Sequence, residues 1–231
     1  MVRVQLAMTE PQQVMADFWC GGATADTPAS LWSQFAQVVS ARDHLTEEND
    51  IKLFFALANA LFDAGIAAWD AKRYYDAARP ITAVRYVFCD QVIRAYSIGG
   101  PAAGLRQIPG TLWAPYQLPN NPTLPFAEYV SGHSTFSAAA AEALKRFTGS
   151  DAFNHSMTIA PRSLTLDPAL PATPVVLRWD RFSDAACEAG LSRVVAGLHF
   201  PQSDLAGRVL GQQVGALAFD KARQYWEGIA A

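Results

Sequence analysis

Cysteine, histidine and charge are all scarce in this chain of 231 residues. The three cysteines, Cys20, Cys89 and Cys187, are odd in number and far apart, which argues against a disulfide framework or a zinc site and suits buried thiols. Charged residues make up 17% against 51% hydrophobic, a balance that excludes a disordered chain and implies one large core. With a net charge of −3 there is no basic footprint, so nucleic acid is not the expected partner. No uninterrupted apolar run reaches the ~18 residues of a membrane span. The first residues hold Glu10 and Asp17 without the apolar centre of a secretory leader, so the chain reads as soluble with its compartment unassigned. Repeats, low-complexity tracts and linkers are also missing, and the expectation is a single all-α domain over residues 1–231.

Helical periodicity carries most of what is present. A short helix is expected over Gln12 to Trp19, broken by Gly21-Gly22, and another over Ser30 to Arg42 with Leu31, Phe35, Val38 and Val39 on one side. Thr46 is a favourable N-cap ahead of Glu47 and Glu48, and Ile51, Phe54, Phe55, Leu57, Leu61, Phe62, Ile66 and Trp69 then recur at helical spacing. That pattern runs to Tyr75, with Pro80 ending it near Arg79, and a further helix covers Thr82 to about Ile93. Residues 97–128, broken by Gly99-Gly100-Pro101, Pro109-Gly110, Pro119 and Pro122 to Pro125, form the longest irregular stretch, a length more often functional than idle. Later helices are expected from Ser131 to Phe147, from Phe182 to Ala196 before Gly197, and from a Ser203 or Asp204 cap to about Trp226. Ser156 to Ala160 and Val175 to Trp179 alternate as a small hairpin would.

Three places carry chemistry. Ser131-Gly132-His133 opens a helix after a Pro-rich loop, so its first turn offers unpaired N–H groups and a positive dipole end, both suited to an oxyanion, with a histidine beside it for proton transfer. Lys72 and Arg79 lie seven residues apart; continued as helix, about 700° of rotation puts both on one stripe, with Trp69 within about 60° of it. The plainer alternative is a solvated face with Asp76 pairing Arg73 or Lys72, but the pair sits at the end of a strongly apolar helix. Ser192 and Arg193 end one helix and His199 follows Gly197, so both Arg193 and His199 can face one cavity. Taken alone, His199 reads as a structural histidine, and His44 and His155 lie in ordinary polar connections with no role assigned.

Taken together and in order, Lys72-x6-Arg79-Pro80, Ser131-Gly132-His133 and Ser192-Arg193-x5-His199 resemble the three motifs of the phosphatidic-acid phosphatase type 2 and vanadium-dependent haloperoxidase superfamily. The resemblance spans residues 72–204 and implies a helical bundle around a tetrahedral oxyanion site. It implies that Lys72, Arg79 and Arg193 grip vanadate or phosphate oxygens, that Ser131 and Gly132 donate a hydroxyl and an N–H, that His199 binds vanadium or becomes phosphorylated, and that His133 is the general acid/base. Trp69, three residues before the motif lysine, and Phe126 in Phe126-Ala-Glu-Tyr129-Val-Ser131-Gly-His133 resemble the halide and substrate pocket of the chloride-using branch, against a plain packing role for both. The position of the extra histidine in bromide-using enzymes holds Ala140. Two positions depart from the pattern. Val130 replaces a proline, and Asp204 lies five residues after His199 where four are usual, which puts its role in orienting His199 in doubt.

The leading expectation is thus a haloperoxidase-like enzyme acting on hydrogen peroxide, halide and an organic acceptor. A phosphomonoesterase taking a phosphate ester through phosphorylated His199 comes second, and a non-catalytic helical module third. Only 71 residues precede Lys72, so the chain is expected to be a truncated C-terminal catalytic half of a longer family member, or to complete its bundle as a homodimer.

Overall fold

Thr46 starts the longest helix as expected, its hydroxyl accepting from Asn49 N–H at 3.4 Å. The computed structural model describes residues 1–21, 28–121 and 123–229; Gly22 and Pro122, used above as breakers, lie outside them. The chain runs α1 (Val2–Leu6), α2 (Glu10–Phe18), α3 (Pro28–Asp43), α4 (Glu47–Tyr75), α5 (Pro80–Val87), β1 (Val92–Ala95), β2 (Arg106–Pro109), α6 (Gly132–Thr148), β3 (Ala152–Ile159), β4 (Val175–Arg181), α7 (Phe182–Val195) and α8 (Pro201–Trp226). Helices dominate, and the predicted bundle class stands.

The bundle is held by a seam of small residues. α4, α6 and α8 pack on one another, with Ala56, Ala60, Ala64 and Ala68 on the inward face of α4. Gly207, Gly211 and Gly215 form the matching stripe of α8; a Cβ on Gly207 would come 2.8 Å from the Ser131 carbonyl. Close backbone approach of α8 therefore fixes where α6 begins. Around this seam Trp19, Trp32, Phe35, Leu57, Phe153 and Trp179 form the main core with α7 and the β3–β4 hairpin.

Several expectations need correction. The apolar pattern of α4 is not all core: Ile51, Phe55, Phe62, Ile66 and Trp69 are exposed along one stripe. By length and composition this run passes for a membrane span, yet its opposite face packs on α6 and α8 as the core helix of a bundle does. The helix expected from Thr82 to Ile93 stops at Val87, and β1 pairs antiparallel with β2 inside the stretch read as irregular. Ser203 and Asp204 do not cap α8, which starts at Pro201 with Phe200 as N-cap. Pro201 supplies a preset φ and needs no N–H partner. Cys89 and Cys187 are exposed and Cys20 is half-buried, so the thiols are not core residues. His155 sits in β3 among Phe35, Phe153 and Trp179 rather than in a polar connection. The β3–β4 hairpin holds, pairing Ser156 with Arg178.

Candidate oxyanion site

Lys72 and Arg79 do not share a helical stripe. α4 ends at Tyr75, Asp76 adopts a left-handed φ of 41°, and Arg79 is the N-cap of α5. The two cations nevertheless converge on one loop. Lys72 Nζ donates to the carbonyls of Ala127 (2.9 Å), Glu128 (3.1 Å) and Val130 (2.5 Å). Arg79 donates from Nε to Phe126 O at 2.8 Å and from Nη1 to Leu198 O at 3.2 Å. The Glu128 N–H returns to Ala77 O at 2.9 Å. Residues 126–130 are thus clamped by charge-assisted bonds immediately before Ser131. Burial, then Arg79, push the Lys72 ammonium down to about 7 against the pull of Glu128. Arg79 is lowered to about 10, burial being the first cause.

The helix start reads as expected. Ser131 is the N-cap, with Oγ 3.4 Å from Ser134 N, and both Ser131 and Gly132 are buried. Gly132 packs under Trp69, where a Cβ would stand 3.5 Å from the indole. His133, in the first turn, places Nε2 2.8 Å from the Trp19 carbonyl. A carbonyl only accepts, so Nε2 carries the proton and Nδ1 the lone pair. Desolvation, then Arg193, hold His133 well below its ordinary pKa.

The third motif is built on one carbonyl. Arg193 O accepts from the N–H groups of both Leu198 (2.9 Å) and His199 (3.3 Å). Gly197 turns between them at φ 80°, a left-handed value that favours glycine. The Arg193 side chain is buried, and its Nη1 has no hydrogen-bond partner among the described residues. Burial lowers its pKa, partly offset by the neighbouring Cys20 thiol. The ring contacts of His199 among the described residues, Glu128 Oε1 at 2.8 Å and Ser203 Oγ at 3.5 Å, both fall on Nδ1, leaving Nε2 without a partner there. Burial, opposed by Glu128 and reinforced by Arg79 and Lys72, pushes His199 down to about 4.

Trp69 and Phe126 meet with ring centroids 5.0 Å apart, and the Lys72 ammonium lies 5.2 Å from the Phe126 ring. Trp69 also lines an open apolar cleft of about 700 Å³ with Phe62, Ile66 and Phe136.

Three features were not foreseen: Glu128, the Trp19 carbonyl and Cys20. Glu128 is a single acid inside an apolar run, and nothing in the spacing ties it to a histidine 71 residues on. Asp204 does not touch His199; its carboxylate accepts from Ser134 Oγ (2.7 Å) and from Arg208 Nε (2.8 Å), tying α6 to α8.

What the cluster can hold follows from its donors. Three cations and a helix N-terminus favour an anion. Among the described residues, no group of three or more His, Cys, Asp or Glu is arranged to hold a bare metal ion. A buried guanidinium with an unused donor is costly unless an acceptor meets it. The residues therefore fit an oxyanion such as vanadate or phosphate.

A family model described as the VCPO second helical-bundle domain matches residues 52–228. Among solved structures, an apo-type bacterial vanadium-dependent chloroperoxidase superposes with TM-score 0.86 at 23% identity, covering 97% of this chain and 47% of that one. Its holo-type counterpart gives 0.84 at 23% identity, with 97% and 46% covered. A bacterial vanadium-dependent iodoperoxidase gives 0.67 at 24% identity, with 93% and 44% covered. The chain thus spans about half the length of these relatives. No curated protein matches it.

Proposed function

Because the chain belongs to the vanadium chloroperoxidase family through its second helical-bundle domain, we propose that its cationic cradle takes vanadate and serves peroxide-dependent oxidation of halide. The observation that carries this reading is the buried Arg193 guanidinium, whose Nη1 has no partner among the described residues, in the same electrostatic cluster as His199, Lys72 and Arg79. Vanadate, when bound, supplies the activation of hydrogen peroxide toward halide.

The chain's own residues do the rest. His199 offers its Nε2 lone pair to the anion, and a pKa near 4 keeps that lone pair available at neutral pH. Arg193 supplies the free donor, while Arg79 and Lys72 supply positive field in a desolvated pocket where charge acts strongly. All three Lys72 protons are engaged by backbone carbonyls, so direct contact with the anion requires one of those bonds to be exchanged. The Ser131 hydroxyl and the Gly132 N–H complete the cradle. His133, neutral and donating from Nε2 to Trp19, retains Nδ1 for taking up a proton. The Trp69 cleft offers apolar walls for an organic acceptor.

The test is to load the protein with orthovanadate, add peroxide and bromide or chloride, and follow halogenation of a phenol dye. Activity that requires vanadate and disappears in His199→Ala supports the reading. A phosphohistidine formed from a phosphate ester and lost in the same variant, with vanadate acting only as an inhibitor, replaces it with phosphomonoesterase chemistry.

A further inference from the structure

Asp204, whose spacing from His199 already departs from the family pattern, is committed elsewhere, which leaves the question of what holds the imidazole. Among the described buried acids, Asp17 accepts from Leu166 N–H, Glu142 is paired with Arg146, and Asp204 serves Ser134 and Arg208. Glu128 differs from all three. Its Oε1 lies 2.8 Å from His199 Nδ1 and accepts from the Phe200 N–H at 2.9 Å, and both side chains of the pair are 4% exposed. The Glu128 backbone is fixed in turn by Ala77 O and by Lys72, so the carboxylate is carried on the loop that both motif-one cations clamp.

We infer that Glu128 is the positioning residue of the site: it holds the proton of His199 on Nδ1 and thereby aims an unprotonated Nε2 at the oxyanion. The inference rests on the vanadate-binding reading for its purpose, though not for its geometry. Oε1 already accepts from the Phe200 N–H, so it meets Nδ1 as an acceptor; Nδ1 is then the donor, and neutral His199 has one tautomer left. The competing contact, Ser203 Oγ, is 3.5 Å away and too long to set the tautomer. The Phe200 N–H on the same oxygen prevents the carboxylate from swinging aside. Partners of this kind, bonded to the far nitrogen of a ligating histidine, commonly change affinity about 10–100-fold when removed.

The experiment combines ¹⁵N NMR of histidine-labelled protein with vanadate titration, for the unaltered chain, Glu128→Gln and Glu128→Ala. The unaltered chain is expected to show a protonated Nδ1 and a bare Nε2 at His199. Glu128→Gln keeps an acceptor in place and is expected to retain the tautomer and to bind vanadate within a few-fold. In Glu128→Ala the tautomer is expected to mix and affinity to fall about 10-fold or more. A proton on Nε2 in the unaltered chain overturns the inference, as does a Glu128→Ala protein that keeps both tautomer and affinity. If Glu128→Ala does not fold, the spectrum of the unaltered chain and that of Glu128→Gln decide. Should the chain bind neither vanadate nor phosphate while the tautomer follows Glu128, the functional reading fails and the positioning role survives.

Discussion

Vanadate binding at alkaline pH should be coupled to proton uptake at Lys72. The lysine pKa is pushed down to about 7, first by burial and then by Arg79, whereas the anion favours the charged ammonium. The neighbouring groups do not titrate in the same range: Arg79 stays charged up to about 10, Glu128 is held ionised, and His133 and His199 are held neutral. If the bound state keeps Lys72 protonated, binding at pH 8 takes up about 0.9 of a proton at this site and at pH 6 about 0.1. Each pH unit above 7 then costs about 1.4 kcal/mol of affinity, or tenfold. Calorimetric titration in buffers of different ionisation enthalpy measures the uptake directly. Subtracting the same titration of Lys72→Arg, which stays charged throughout, removes the ligand's own protonation. Equal uptake at pH 6 and pH 8, or uptake unchanged in Lys72→Arg, would refute the coupling.

Three further outcomes follow from the same geometry. Arg193→Met is expected to stabilise the ligand-free protein by about 1–3 kcal/mol, because it removes a buried donor with no partner among the described residues, while abolishing anion binding; thermal melts with and without vanadate read both effects. Gly211→Ala puts a methyl 2.9 Å from Ala138 Cβ and closer still to the Thr135 carbonyl, and should cost about 1–3 kcal/mol in urea denaturation as α8 is pushed off α6. His199 has a folded pKa near 4 against 6.5 when exposed, so from pH 6.5 down to 4 the unfolded chain binds a proton that the folded chain refuses. Stability should fall by about 3 kcal/mol across that window and the fall should shrink in His199→Gln; parallel stability curves for the two proteins would contradict it.

Much of the fold and the residues of the candidate site were legible locally. Thr46 and Ser131 begin helices through their own side-chain chemistry, which needs no tertiary contact. The three motifs place cations and histidines at spacings read directly from the chain. What failed did so where a distant partner decides. The stripe shared by Lys72 and Arg79 required a continuous helix; the structure instead brings them together through carbonyls of residues 126–130. The exposed stripe of α4 has the same apolar residues as a core stripe, and only packing decides which side is inward.

Glu128 marks the boundary most sharply. Residue type and order by themselves determined a helical bundle, an anion-friendly helix start at Ser131, three candidate cations and two histidines. Which carboxylate orients His199 was decided by the tertiary structure, because a hydrogen bond depends on distance in space and Glu128 reaches His199 only after the loop has been clamped by Lys72 and Arg79. The same holds for Arg193: its charge is written in the chain, but an Nη1 with no partner among the described residues exists only because folding buries it.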